Sequence, residues 1–256
     1  MKVLPPTTQP PTRPFERTHA PKKAEWQGGY RGYVPCLRWD FGFTCALCLL
    51  HEGDLTERGI EETHHQMTVE HRNPQSAAGH LANVYENLLY ACTFCNRARS
   101  TKPLQDECGN LLLDPTVDAW ADHFEARDDR LVPKTDRGAY AERVYSINAE
   151  LKTRKRKARR ENIARWREWM EKTPVMVRKL LLEAEHLATS KDDGKRTRAA
   201  EMRELAQCLE REAVHAAQCM RRYLGIPEQM NAEYRCRCAA QLRKLPAQLE
   251  VQLIEL

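Results

Sequence analysis

Two cysteine pairs constrain this 256-residue chain more than any other feature. Cys45-Ala-Leu-Cys48 and Cys92-Thr-Phe-Cys95 are both C-x2-C steps, and 43 residues separate them. Each step presents two sulfurs at one tight turn, and two such turns complete the four-thiolate tetrahedral shell of a structural Zn2+ site. The spacing predicts that Cys45, Cys48, Cys92 and Cys95 bind one zinc ion. The metal would supply stability that a module of about 60 residues cannot draw from its own apolar core. The opening MKVLPPTTQPPTRP has no apolar signal-peptide core, and no apolar stretch approaches the roughly 18 residues of a membrane span. The expected setting is therefore a reducing cytoplasm with no membrane association, where paired cysteines serve metal binding or chemistry rather than disulfides.

Around this staple the chain divides by composition. Residues 1–35 hold seven of the fourteen prolines and read as an extension that lies extended on a surface or stays loose. Aromatic residues follow at Trp26, Tyr30, Tyr33, Trp39, Phe41 and Phe43, and residues 38–44 read as a strand leading to Cys45. Between 45 and 102 short elements alternate with Gly, Pro, Asn and His. Residues 111–115, and 123–133 with a turn near 127–129, read as strands. After Gly138, Tyr140, Val144, Ile147 and Leu151 recur at helical spacing, as do Ile163, Trp166 and Met170. Thr173-Pro174 reads as an N-cap and first helical residue opening a further helix, and 191–195 as a polar break. Another helix is expected over about 197–224, stopped by Gly225-Ile226-Pro227, and a last one over about 228–244. The expected domains are 1–35, 36–138 and a helical 139–256. Charge follows this division: 1–138 carries 16 basic and 19 acidic side chains, and 139–256 carries 25 and 17.

The polar residues within the cysteine-bounded stretch carry a resemblance. Val69-Glu70-His71-Arg-Asn-Pro74, Asn87-Leu88-Leu89-Tyr-Ala-Cys92 and Cys95-Asn96-x-x-Arg99 resemble the HNH (ββα-metal) endonuclease family over residues 45–102. The resemblance implies an α+β fold: a small zinc-stapled ββα-metal, treble-clef-like nuclease domain, here followed by a mainly helical domain. It also implies a metal-dependent hydrolase of nucleic acid phosphodiesters, with DNA favoured over RNA as the substrate. His71 would be the general base, Asn87 would hold its ring, and Glu70 and Asn96 would bind Mg2+ or Mn2+. The chemistry agrees, because neutral imidazole accepts a proton near pH 7 and hard oxygen donors suit those cations. Glu70 stands where Asp is more usual, and Asn96 stands where the family name puts its last histidine; both keep an oxygen. Arg99 stands where Lys is often found and would contact a phosphate.

A softer resemblance extends over 40–156 through Leu112-Leu113-Asp114-Pro115, His123-Phe124-Glu125, Gly138, Ile147-Asn148 and Leu151. It is to the HNH nuclease subunit of Septu-type and retron-linked bacterial antiphage systems, which implies a defence role beside an ATPase of the ABC or SMC type. The alternative class is a zinc-knuckle module that binds nucleic acid or protein without cutting.

Lys152-Thr-Arg154-Lys155-Arg156-Lys157-Ala-Arg159-Arg160 has seven basic residues in nine. On a helix it would meet a phosphate backbone, a partner's acidic face, or only solvent. His51, His64, His65 and His80 are expected as core or surface histidines, since the knuckles already fill a zinc shell. Cys36, Cys108, Cys208, Cys219, Cys236 and Cys238 are expected as buried thiols. Leu205, Leu209 and Met220 read as core or a partner interface.

Overall fold

The computed structural model describes residues 10–17, 29–55, 67–100 and 102–223. The protein is α+β, with two small antiparallel sheets among the described residues. These residues fall into two compact units, one ending at Arg160 and the other running from Glu161 to Arg222.

In the first unit, α1 (Val34–Asp40) has Pro35 in its first turn, where a missing N–H costs nothing. This helix replaces the strand expected over 38–44. Leu37 and Phe41, four residues apart, are both fully buried, so the aromatic run has helical rather than alternating periodicity. The chain then reaches Cys45 through a turn in which Gly42 and Phe43 take positive φ.

Strands β1 (Met67–His71) and β2 (Leu88–Cys92) pair antiparallel, with Glu70 opposite Leu89 and His71 opposite Leu88. Helix α2 (Thr93–Arg99) begins on the residue after β2, so Cys92 both ends a strand and caps a helix. Every residue of β2 is buried, as its apolar run Leu-Leu-Tyr-Ala-Cys requires.

A short helix α3 (Trp120–His123) leads into the hairpin β3 (Phe124–Arg127) and β4 (Arg130–Pro133), with its turn at Asp128 and Asp129. The expected strand at 111–115 does not form. Leu111 makes only an isolated bridge to Gln105. Helix α4 (Asp136–Tyr145) is capped by Thr135, whose hydroxyl accepts from the Gly138 N–H at 3.1 Å. Gly138 is required by close approach: a Cβ there would lie 2.5 Å from the His123 carbonyl oxygen. Leu37, Leu47, Leu88, Trp120, Phe124, Leu131 and Val144 share one apolar core with the four knuckle cysteines.

Part of the proline-rich extension belongs to this unit. The Phe15 N–H donates to the Pro115 carbonyl at 2.8 Å, and the Ala121 N–H donates to the Pro11 carbonyl at 2.9 Å. Arg17 donates to the Leu88 carbonyl at 2.6 Å and lies over the rings of Phe41 and Tyr85, at 5.4 and 5.1 Å.

Helix α5 (Glu150–Ala188) runs without interruption through Thr173-Pro174, where a new helix start was expected. Apolar residues at helical spacing on both sides outweigh the local start signal, and proline removes only one backbone donor from a 39-residue helix. In the second unit α5 continues from Glu161, and α6 (Asp193–Tyr223) follows a short polar link at the expected break. The buried positions are mostly small: Ala184, Ala199, Ala206 and Ala216, with Ile163, Val177 and Met220. Of the residues read as core or a partner interface, Met220 is buried, Leu209 is half-buried and Leu205 is exposed. The stop at 225–227 and the last expected helix lie outside the described residues. No helix among the described residues is long and apolar enough to cross a membrane.

Candidate functional site

The two knuckles are brought together by the sheet. Cys45 and Cys48 flank a turn whose Ala46 N–H donates to the Tyr90 carbonyl of β2 at 2.8 Å, while Cys92 and Cys95 sit at the junction of β2 and α2. All four are buried, and their sulfurs lie within 4.8 Å of one another. A tetrahedron with Zn–S bonds near 2.3 Å has edges of about 3.8 Å, and the Cys48 and Cys92 sulfurs are 3.7 Å apart. The cluster can hold a zinc ion. Four thiolates packed this closely in a buried site require a cation to offset their charge.

The loop carrying the first knuckle is braced by buried charge. Glu52 accepts from Arg38 Nε and Nη2 at 2.6 and 2.7 Å and from the Tyr90 hydroxyl. His51 is a core histidine capping the turn Glu52–Asp54, as expected of it. His80 is exposed, and His64 and His65 lie outside the described residues. Cys36 is buried as expected, Cys219 is half-buried, but Cys108 and Cys208 are exposed; Cys236 and Cys238 lie outside the described residues.

Glu70 and His71 end β1, Asn87 closes the turn just before β2, and Asn96 lies in α2. Asn96 Nδ2 donates to the Val69 carbonyl at 3.1 Å, which ties the helix to the strand one residue before Glu70 and leaves Oδ1 outside that bond. Glu70 is buried, and its carboxyl is pushed up to about 7 by burial, against the pull of Arg99 and of the His71 amide. His71 is held below the usual imidazole range by burial and is therefore neutral. Its Nε2 lies 3.0 Å from the Ala82 carbonyl. That oxygen can only accept, which puts the proton on Nε2 and leaves Nδ1 basic. The side-chain amide of Gln75, 3.0 Å from the same nitrogen, must then turn its oxygen rather than its NH2 toward that N–H. Tyr30 packs edge-on against the ring, with centroids 4.7 Å apart.

Two expected contacts are placed differently. Asn87 does not bond the His71 ring. Its Oδ1 accepts from the Asn73 N–H at 2.8 Å and from Asn73 Nδ2 at 3.0 Å, and its Nδ2 donates to the Leu81 carbonyl at 3.2 Å. Asn87 therefore fixes the two ends of the loop after β1, and that loop presents the Ala82 carbonyl to His71. Arg99 is 1% exposed. It lies against α4, beside Glu70 and Tyr145, so it has no surface from which to meet a phosphate.

The basic segment is also split. Arg154, Lys157 and Arg160 are exposed and Lys155 is half-buried, but Lys152, Arg156 and Arg159 are buried. Arg160 pairs with Asp129 through two contacts of 2.9 Å. The inward positions fall at i, i+4 and i+7, a helical stripe that the sequence already contained. Gln75, 3.0 Å from His71 Nε2, and Ala82, a backbone contact, carried no signal of their own. Beside the site, a cavity of about 420 Å³ is lined by Arg72, Asn73, Leu89, Asp114, Arg137 and Tyr145 among others.

Comparison of the chain with protein-family models, with curated proteins and with solved structures gives no match.

Proposed function

We propose that this protein is an HNH-type, metal-dependent endonuclease that hydrolyses nucleic acid phosphodiesters, DNA in the first instance. The observation that carries the reading is the constellation on two antiparallel strands and the helix directly after them. It comprises a neutral His71 with Nε2 on the Ala82 carbonyl, Glu70 beside it, and Asn96 tied to Val69. In this reading His71 Nδ1 takes the proton of the attacking water. Asn87 keeps the loop, and hence the ring, in place. Glu70 and Asn96 offer two oxygen donors, a set that fits Mg2+ or Mn2+, which commonly complete their shell with water and substrate phosphate. The cation, when bound, stabilises the pentacoordinate phosphate and the departing oxygen. Arg154 and Lys157, exposed on α5, are the residues of the basic segment that would meet a phosphate backbone in this reading.

A plasmid-nicking assay in Mg2+, Mn2+ and EDTA tests the proposal. Cleavage should require the divalent cation and disappear in His71→Ala with zinc content unchanged; cleavage retained by that purified variant would sink the assignment. A module that binds without cutting would shift the plasmid in a gel and never nick it. The softer resemblance over 40–156 extends the proposal to an effector nuclease of an antiphage complex, and co-purification with an ABC- or SMC-type ATPase tests that extension.

A further inference from the structure

Three cations of the densest positive run point into the protein, and all three reach the zinc knuckles. Lys152 Nζ lies 3.2 Å from Cys95 Sγ. Arg156 Nη1 donates to the Cys48 carbonyl at 3.2 Å, and Arg159 Nη2 donates to the Leu49 carbonyl at 3.0 Å. Arg159 is fixed in turn by Asp54 at 3.1 Å.

Two of these contacts meet a need of the cluster. Four thiolates around one Zn2+ leave a net charge of −2 in a buried site, which must be offset by cations or hydrogen-bond donors. Lys152 supplies a full positive charge at one of those sulfurs. Leu49 stands immediately after the knuckle with φ of 62°, a conformation that favours glycine. Such a residue persists only where its surroundings over-determine it. Here its N–H donates to the Cys45 carbonyl at 3.0 Å and its own carbonyl receives Arg159.

We infer that Lys152, Arg156 and Arg159 form a clamp on the zinc–thiolate centre, with Lys152 the charge partner of Cys95, so that zinc binding and ordering of α5 over 150–160 are one coupled event. The inference rests on the reading of the four sulfurs as a zinc site and is independent of the nuclease reading. It withdraws these three residues from the phosphate-binding role that composition suggested and gives them a positioning role toward the metal.

Zinc content of the purified full-length chain is measured first; a wild-type chain that holds no Zn2+ overturns the zinc reading and the clamp with it. Given bound zinc, Zn2+ affinity is measured by chelator competition for wild type, Lys152→Met, Lys152→Arg and the exposed control Arg154→Met. Loss of a residue that supports metal ligands costs about 10–100-fold in affinity. That loss is expected for Lys152→Met alone, with Lys152→Arg retaining most of the affinity because it keeps the charge. Lys152→Met within about twofold of wild type overturns the clamp while leaving the zinc site standing. Should Lys152→Met fail to fold, hydrogen exchange on the wild-type chain decides. Amides of 150–160 should lose protection when zinc is stripped, and unchanged protection there would overturn the coupling.

Discussion

Arg156 is fully buried, and the substitution Arg156→Ala distinguishes a structural cation from a nucleic acid contact. Its guanidinium serves four acceptors: the Asp129 carbonyl at 2.8 Å, the Ile147 carbonyl at 3.0 Å, the Cys48 carbonyl at 3.2 Å and Asn148 Oδ1 at 3.2 Å. Asn148 Oδ1 keeps a second donor, the Leu131 N–H, so three carbonyls lose theirs. A hydrogen bond from a charged donor contributes about 1.5–3 kcal/mol, and truncation also relieves the desolvation of a buried cation. The net loss is about 3–5 kcal/mol, a large part of the 5–15 kcal/mol that typically holds a domain together. Urea denaturation of the zinc-loaded protein should show Arg156→Ala unfolding at a much lower midpoint. Arg154→Ala, on an exposed residue of the same helix, should stay within about 0.5 kcal/mol of wild type. If Arg156→Ala unfolds at the wild-type midpoint and only loses affinity for nucleic acid, the structural assignment is refuted.

Two further outcomes are expected. Gly138→Ala puts a Cβ 2.5 Å from the His123 carbonyl oxygen, a backbone atom that cannot swing aside, and should cost about 1–3 kcal/mol by thermal denaturation; a neutral result would mean that the start of α4 moves freely. Glu70 has a folded pKa of about 7, above its ordinary value of 4.5, so the stability tied to its protonation is complete below about pH 4.5 and is lost as pH rises through 7. At about 1.4 kcal/mol per unit, Glu70→Gln should stabilise the protein at pH 8 without added Mg2+ or Mn2+ by up to roughly 3 kcal/mol while abolishing cleavage. The gain should vanish near pH 4, and a pH-independent difference would show that the carboxylate is not strained in the fold.

What the sequence disclosed depended on how local the cause was. The knuckles were legible because a C-x2-C turn is a property of four residues, and the β3–β4 turn because Asp128-Asp129 is one of two residues. The set Glu70, His71, Asn87, Asn96 came through a family resemblance, which does not disclose what Asn87 touches, because its partners Asn73 and Leu81 are set by the path of a loop. Residues 38–44 misled because a seven-residue helix and a strand bury aromatic runs alike. The basic segment misled most, since charge density is a property of composition, whereas the direction of each side chain depends on which stripe of α5 finds a packed neighbour. Pro174 was a true local signal overridden by the longer pattern around it.

The anchoring of residues 10–17 bears on how this protein should be handled. Arg17 holds the Leu88 carbonyl, one residue past Asn87, and is gripped between Phe41 and Tyr85. A fragment trimmed to begin at the first helix would leave that carbonyl without its donor and two rings without their cover. Residues 10–17 are thus part of the cooperative unit around the site, and a truncated version without them, though it reads as a cleaner domain on paper, would be a poorer protein in the tube.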